Sequence, residues 1–189
     1  HKEAIVWDVE KGVPSECQDK AWQTCSCLGT WHYNRSAYED NWYKSAGTVI
    51  HMLIDIVSKN GNLLLSVPMK GNGTIDDKEE KILEDIAAWM EVNGEGIFDT
   101  RPWCIYGEGP STETAIPLDG AGFNEDKNAP YTSADIRFVK KGKYLYAHIM
   151  KWPSDGKIQI KSLATGSPYC KGEIEKVELL GGGTVSYTH

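Results

Sequence analysis

Two acidic residues, Asp8 and Glu10, stand where the apolar run Ala4-Ile5-Val6-Trp7 gives way to Lys11-Gly12-Val13-Pro14. An apolar run that breaks into carboxylates, glycine and proline predicts a strand entering a loop. Carboxylates at such a junction can move protons, and barrel enzymes place catalytic acids there; solvated loop charges are the alternative reading. Glu95 is a third acid, but it follows the helix stop Asn93-Gly94 and reads as a structural residue of a connection. Trp31, after the small-residue turn Gly29-Thr30, offers a ring either to a ligand or to a core. His51 lies alone within a helical pattern and reads as satisfied or solvated. Cys17, Cys25, Cys27, Cys104 and Cys170 are odd in number and scattered, and Cys25-x-Cys27 lacks the second ligand pair of a zinc site. They read as free thiols, and neither a metal nor a cofactor is expected.

The elements that must position these residues centre on residues 57–76. Leu63-Leu64-Leu65 continues to Val67-Pro68 as an unbroken apolar run, the pattern of a strand covered on both faces. Asn60-Gly61 precedes it, the loop Gly71-Asn72-Gly73 follows, and Asp76 and Asp77 cap the next helix. Upstream, Val49, Ile50, Leu53, Ile54, Ile56 and Val57 predict a helix over 37–59. Downstream, Ile82, Leu83, Ile86, Trp89 and Met90 form one stripe of a helix from Asp77 to Val92. Helix, buried strand, glycine loop and helix make one unit of a (β/α) fold, whose loop after the strand lies at the catalytic face.

Residues 107–133 are rich in Gly, Pro, Ser, Thr, Asn and Asp and read as a long loop or linker. Beyond them the period becomes two. Ile136 and Phe138, then Tyr144, Tyr146, His148 and Met150 alternate around a hairpin at Lys141-Gly142. Lys157 to Leu163 alternates again, and Val177, Leu179 and Val185 mark strands around Gly181-Gly182-Gly183. The division expected is a (β/α) part over 1–103 and an antiparallel β domain over 104–189.

Trp22-Gln23-Thr24-Cys25, Gly29-Thr30-Trp31-His32-Tyr33, the 57–76 stretch and Asn93-Gly94-Glu95-Gly96-Ile97 stand in one order with sensible spacings. Together they resemble the closing quarter of the α-L-fucosidases of glycoside hydrolase family 29, closely over about residues 5 to 105. The resemblance implies the last part of a (β/α)8-type catalytic barrel followed by a β-sandwich, here incomplete. It also implies retaining, exo-acting hydrolysis of terminal α-L-fucose from a fucosylated glycan. Glu10 matches the general acid/base and Trp31 matches an aromatic wall of the sugar pocket. Relatives carry Trp-Glu where this chain has Gln23, and an amide cannot titrate, so Glu10 has the better claim to proton transfer. His32 stands for a family glycine, and Ser66 where relatives often carry Asn. A whole barrel takes about 250 residues, and the family's nucleophile segment lies upstream of everything matched here. No nucleophile is assigned, and the segment alone is expected to be inactive. Family habit suggests a periplasmic or extracellular location.

Composition bounds the partners. The 189 residues carry a net charge of -7 and a pI near 5.2, which argues against nucleic acid and an anionic membrane surface. No run approaches 18 apolar residues. Seven Trp and nine Tyr suit sugar recognition and core packing alike. A non-catalytic carbohydrate-binding or architectural β module, using Tyr144, Tyr146 and Trp152, is the alternative function. Oligomeric state is not legible.

Overall fold

The computed structural model describes residues 5–119, 125 and 129–188. Ala4 and residues 120–124 and 126–128 of the long loop lie outside the described residues. Strands β1 (Trp7–Glu10), β2 (Trp22–Cys27) and β3 (Gly61–Ser66) form a parallel sheet in that order. Trp22, Thr24 and Ser26 alternate onto the buried face of β2. There Trp22 packs with Val9 and with Ile56 of helix α2 (Ala46–Ser58), and its indole N–H donates to the Lys59 carbonyl at 2.9 Å. Gly61 is required beneath that ring, since a Cβ there would lie 2.5 Å from the Trp22 ring atoms. β1 is one edge of the sheet, and Ile5, Val6 and Trp7 leave it well exposed.

Four expectations change in the parallel-sheet half. Asp8 and Glu10 belong to β1 itself, because the backbone pairs Asp8 with Gln23 and Glu10 with Cys25; the turn begins only at Lys11, with φ +46°. β3 is covered on its α2 side alone, and Leu64 is exposed on the other face. The helix expected over 37–59 is two, α1 (Arg35–Glu39) and α2. Asn34 caps α1 through its side chain and Ser45 caps α2, while Asn41 between them sits at φ +55°. The helix α3 (Asp77–Asn93) does not end on a left-handed glycine: Gly94 has φ −59° and the chain runs on as a 3-10 turn over Gly94–Gly96.

A second sheet is antiparallel: β4 (Arg101–Glu108), β5 (Ile136–Lys141) and β6 (Tyr144–Ile149), with Gly142 at φ +58° in the hairpin. The boundary at 103/104 therefore falls inside β4. A short helix α4 (Pro110–Glu113) follows it within the long loop. Lys157 to Leu163 forms no strand. The Lys161 and Ser162 N–H groups donate to the Glu108 carboxylate at 2.8 and 2.7 Å instead of to a ladder, and Lys161–Leu163 is a 3-10 turn. A hairpin of β7 (Glu178–Leu179) and β8 (Gly183–Thr184) closes around the glycines.

The two sheets meet at α2 through charge. Asp55 of α2 accepts from Lys59 Nζ at 2.9 Å and from Arg137 Nε of β5 at 2.5 Å, all three residues being buried. Burial alone would push the Asp55 carboxyl up, but the Lys59 and Arg137 cations outweigh it and hold it below the usual carboxylate range. The Arg137 guanidinium lies 5.4 Å from the ring centres of both Tyr106 and Tyr131 and donates to Ser111 Oγ at 2.9 Å. Ile54, Ile97 and Met150 make the adjoining apolar core with Trp89 and Met90 of α3. Asp55→Ala leaves two buried cations without their carboxylate, and a loss of about 3–5 kcal/mol is expected in urea unfolding.

The start of α3 holds a second buried acid. Asp76 Oδ1 accepts from the Lys78 and Glu79 N–H groups, and Oδ2 accepts from Tyr43 Oη at 2.5 Å. Glu79 is 0 % exposed and neither of its carboxylate oxygens has a hydrogen-bond partner among the described residues. Burial, then the Asp76 charge, push its carboxyl up, with Lys70 opposing. A raised folded value means the folded protein retains this proton as pH rises from 4 and gives up stability as Glu79 ionises. Glu79→Gln should therefore raise the melting temperature more at pH 8 than at pH 4, and an equal shift at both would reject the buried-acid account.

Candidate functional site

Parallel pairing brings the carboxyl ends of β1, β2 and β3 to one side of the sheet. The loops that leave them cover residues 11–21, 28–34 and 67–76. The third is a tight turn: Lys70 N–H donates to the Thr74 carbonyl at 2.8 Å, Gly73 takes φ +84°, and Asn72 accepts from the Thr74 N–H at 3.1 Å. The second starts at Gly29, where a Cβ would meet the Tyr43 ring at 2.9 Å, so ring and loop can pack only on glycine. Thr30, Trp31, His32, Tyr33, Asn34 and Arg35 line an open cleft of about 490 Å³ there.

Glu10 ends β1 on the sheet face opposite α2. Its carboxylate is exposed and makes no hydrogen bond or ion pair among the described residues. The next residue connects it to the cleft, since Lys11 Nζ lies 5.2 Å from the centre of the Trp31 ring. Glu10 is thus adjacent in sequence to the lysine that reaches the Trp31 ring. Behind Glu10, β2 contributes Cys25, whose thiol is pushed up first by burial and then by its hydrogen bond to Asp8. All five cysteines are free thiols.

Other flagged residues sit elsewhere. Glu95 accepts from Tyr146 Oη at 2.5 Å and so ties the 3-10 turn to β6; burial, then that bond, push the Tyr146 hydroxyl up to about 12. His51 packs edge-on against Tyr131 with ring centres 5.3 Å apart. Tyr144 and Trp152 are exposed, whereas the Tyr146 hydroxyl is committed to Glu95. One group near the strand ends had no sequence signal. Glu125 accepts from Ser26 Oγ and pairs with Lys44 Nζ at 3.0 Å, although Ser26 lies 99 residues away. Only a contact across that separation could have revealed it.

Residues 2–95 match the family model for alpha-L-fucosidase. The plasma alpha-L-fucosidase of Rattus norvegicus is 30% identical over 173 residues, 90% of this chain and 32% of the relative. Among solved structures, alpha-L-fucosidase isoenzyme 1 from Paenibacillus thiaminolyticus superposes with a TM-score of 0.67 at 25% identity, over 96% of this chain and 36% of that one. An alpha-L-fucosynthase from Thermotoga maritima, in complex with a fucosyl-fucose azide, gives a TM-score of 0.68 at 24% identity, over 91% and 34%. The chain spans about a third of the length of these relatives. By the match over its parallel-sheet half and by the architecture that it shares with solved members, this chain belongs to the α-L-fucosidase family.

Proposed function

We propose that the chain is the carboxy-terminal part of a retaining α-L-fucosidase that removes terminal α-L-fucose from glycans outside the cell or in a periplasm. The observation that carries this reading is the placement of Glu10. A carboxylate without a partner among the described residues ends the first strand of a parallel sheet, on the uncovered face, and the next residue, Lys11, reaches the Trp31 ring of an aromatic cleft. In this reading β1, β2 and β3 are the last strands of a (β/α)8 barrel, their uncovered face is turned to its interior, and the antiparallel strands belong to a β-sandwich.

The chemistry follows from what a free carboxyl can do. Protonated, Glu10 gives its proton to the glycosidic oxygen as the bond to the anomeric carbon breaks; ionised, it takes a proton from the water that releases the sugar. The second carboxylate, which attacks the anomeric carbon and in a retaining enzyme stands about 5 to 5.5 Å from the acid/base carboxyl, comes from outside this segment. Trp31 lies against the apolar face of the sugar, and Lys11 keeps its ring in place. Without the nucleophile the segment alone is inactive.

In the full-length enzyme, Glu10→Gln should slow hydrolysis of an unactivated fucoside by about 10²–10⁴-fold. An aryl fucoside with a good leaving group should be affected much less, because its departure needs no proton, and azide should speed turnover by replacing the water that Glu10 activates. Wild-type rates on the unactivated substrate would remove Glu10 from this role.

A further inference from the structure

The uncovered sheet face carries two carboxylates on β1, and they are held very differently. Glu10 has no partner among the described residues. Asp8 lies two residues earlier, about 6.6 Å back along the strand on the same face, and both of its oxygens are engaged. Gln23 Nε2 donates to Oδ1 at 2.8 Å, and Cys25 Sγ donates to Oδ2 at 3.4 Å. These two donors are the β2 residues that pair with Asp8 and with Glu10.

An ionised carboxylate has no proton to donate, so it selects one end of the amide beside it. Only the NH2 end of Gln23 can face Asp8, which leaves the carbonyl oxygen and the second N–H directed elsewhere on the uncovered face. The result is a fixed acceptor beside a fixed donor. A sugar hydroxyl both donates and accepts, and it matches that edge as neither a carboxylate nor an apolar side chain would. The thiol proton of Cys25 is likewise spent on Asp8, so Glu10 keeps its carboxyl for the leaving group.

Resting on the fucosidase reading, we propose that Asp8 is a positioning residue that holds the Gln23 carboxamide as the binding group for one ring hydroxyl of the sugar. Gln23 touches the substrate; Asp8 acts through it. The division of labour on β1 is then complete, with the tied carboxylate orienting and the free one transferring protons.

The test uses the full-length enzyme and aryl fucosides whose leaving groups need no acid. Asp8→Asn keeps the shape but lets the amide turn, and KM should rise about 3- to 10-fold with kcat within about twofold, the signature of one lost binding hydrogen bond. Gln23→Leu should raise KM at least as much, and adding Asp8→Asn to it should do nothing further. A monodeoxy series identifies the hydroxyl: for the one sugar that lacks it, wild type and Gln23→Leu should bind alike. Additive effects, an unchanged Asp8→Asn enzyme, or a loss carried by kcat would overturn the proposal while leaving the fucosidase reading intact. Should Asp8→Asn fail to fold, Gln23→Leu on the deoxy series decides, an equal penalty on every sugar being the overturning result. A wild-type enzyme inactive on every fucoside would overturn the reading and the proposal with it.

Discussion

Asp55 carries a charge that has to be answered inside the protein, and the answer fixes how the two sheets meet. Its partners come from the next turn of its own helix and from the central strand of the antiparallel sheet. A buried triad of this kind adds little net stability over well-packed apolar residues, yet any other register of β5 on α2 would leave a buried cation without its carboxylate. Its neighbours are arranged around that need. Tyr106 and Tyr131 flank the guanidinium and Ser111 takes another of its donors. Asp135 accepts from the Ser111 and Thr132 N–H groups and holds that corner of the long loop in place. The same helix backs Trp22 through Ile56, so the seating of the parallel sheet and the docking of the antiparallel sheet share one support.

What could be read from the sequence depended on how local the cause was. α3 was legible because its cap Asp76 and its apolar stripe are local to it, although Asn93-Gly94 misled about how it ends. β3 was legible as a strand, but its three leucines suggested cover on both faces where only one has it. β2 went unseen as a strand because its buried positions include Thr24 and Ser26, whose polarity hides the alternation. β4 was masked by Pro102 and Gly107, which bracket an irregular stretch of its pairing with β5. The Asp55–Arg137 pair spans 82 residues, a distance over which composition and periodicity carry no information.

The candidate site divides in the same way. Glu10 and Trp31 could be singled out, since family motifs surround both. The contact of Lys11 with Trp31 could not, because it depends on Lys11 leaving β1 in a left-handed turn and laying its ammonium over the indole. The tie between Asp8 and Gln23 required the strand register, which a sequence of alternating polar residues does not reveal. Glu95 was read as structural, and its bond to Tyr146 accounts for it.

The bare edge of β1 matters before any catalysis takes place. Its outward N–H and C=O groups face no strand of the described residues, and exposed Ile5, Val6 and Trp7 lie alongside. An edge of that composition is a template for strand addition, and it accepts a wrong strand as readily as a right one. When the segment stands alone, a second copy competes for it. Handling this segment as an isolated polypeptide is therefore a problem of colloidal behaviour first, and a charged residue in place of Ile5 or Val6 would act as a gatekeeper against self-assembly.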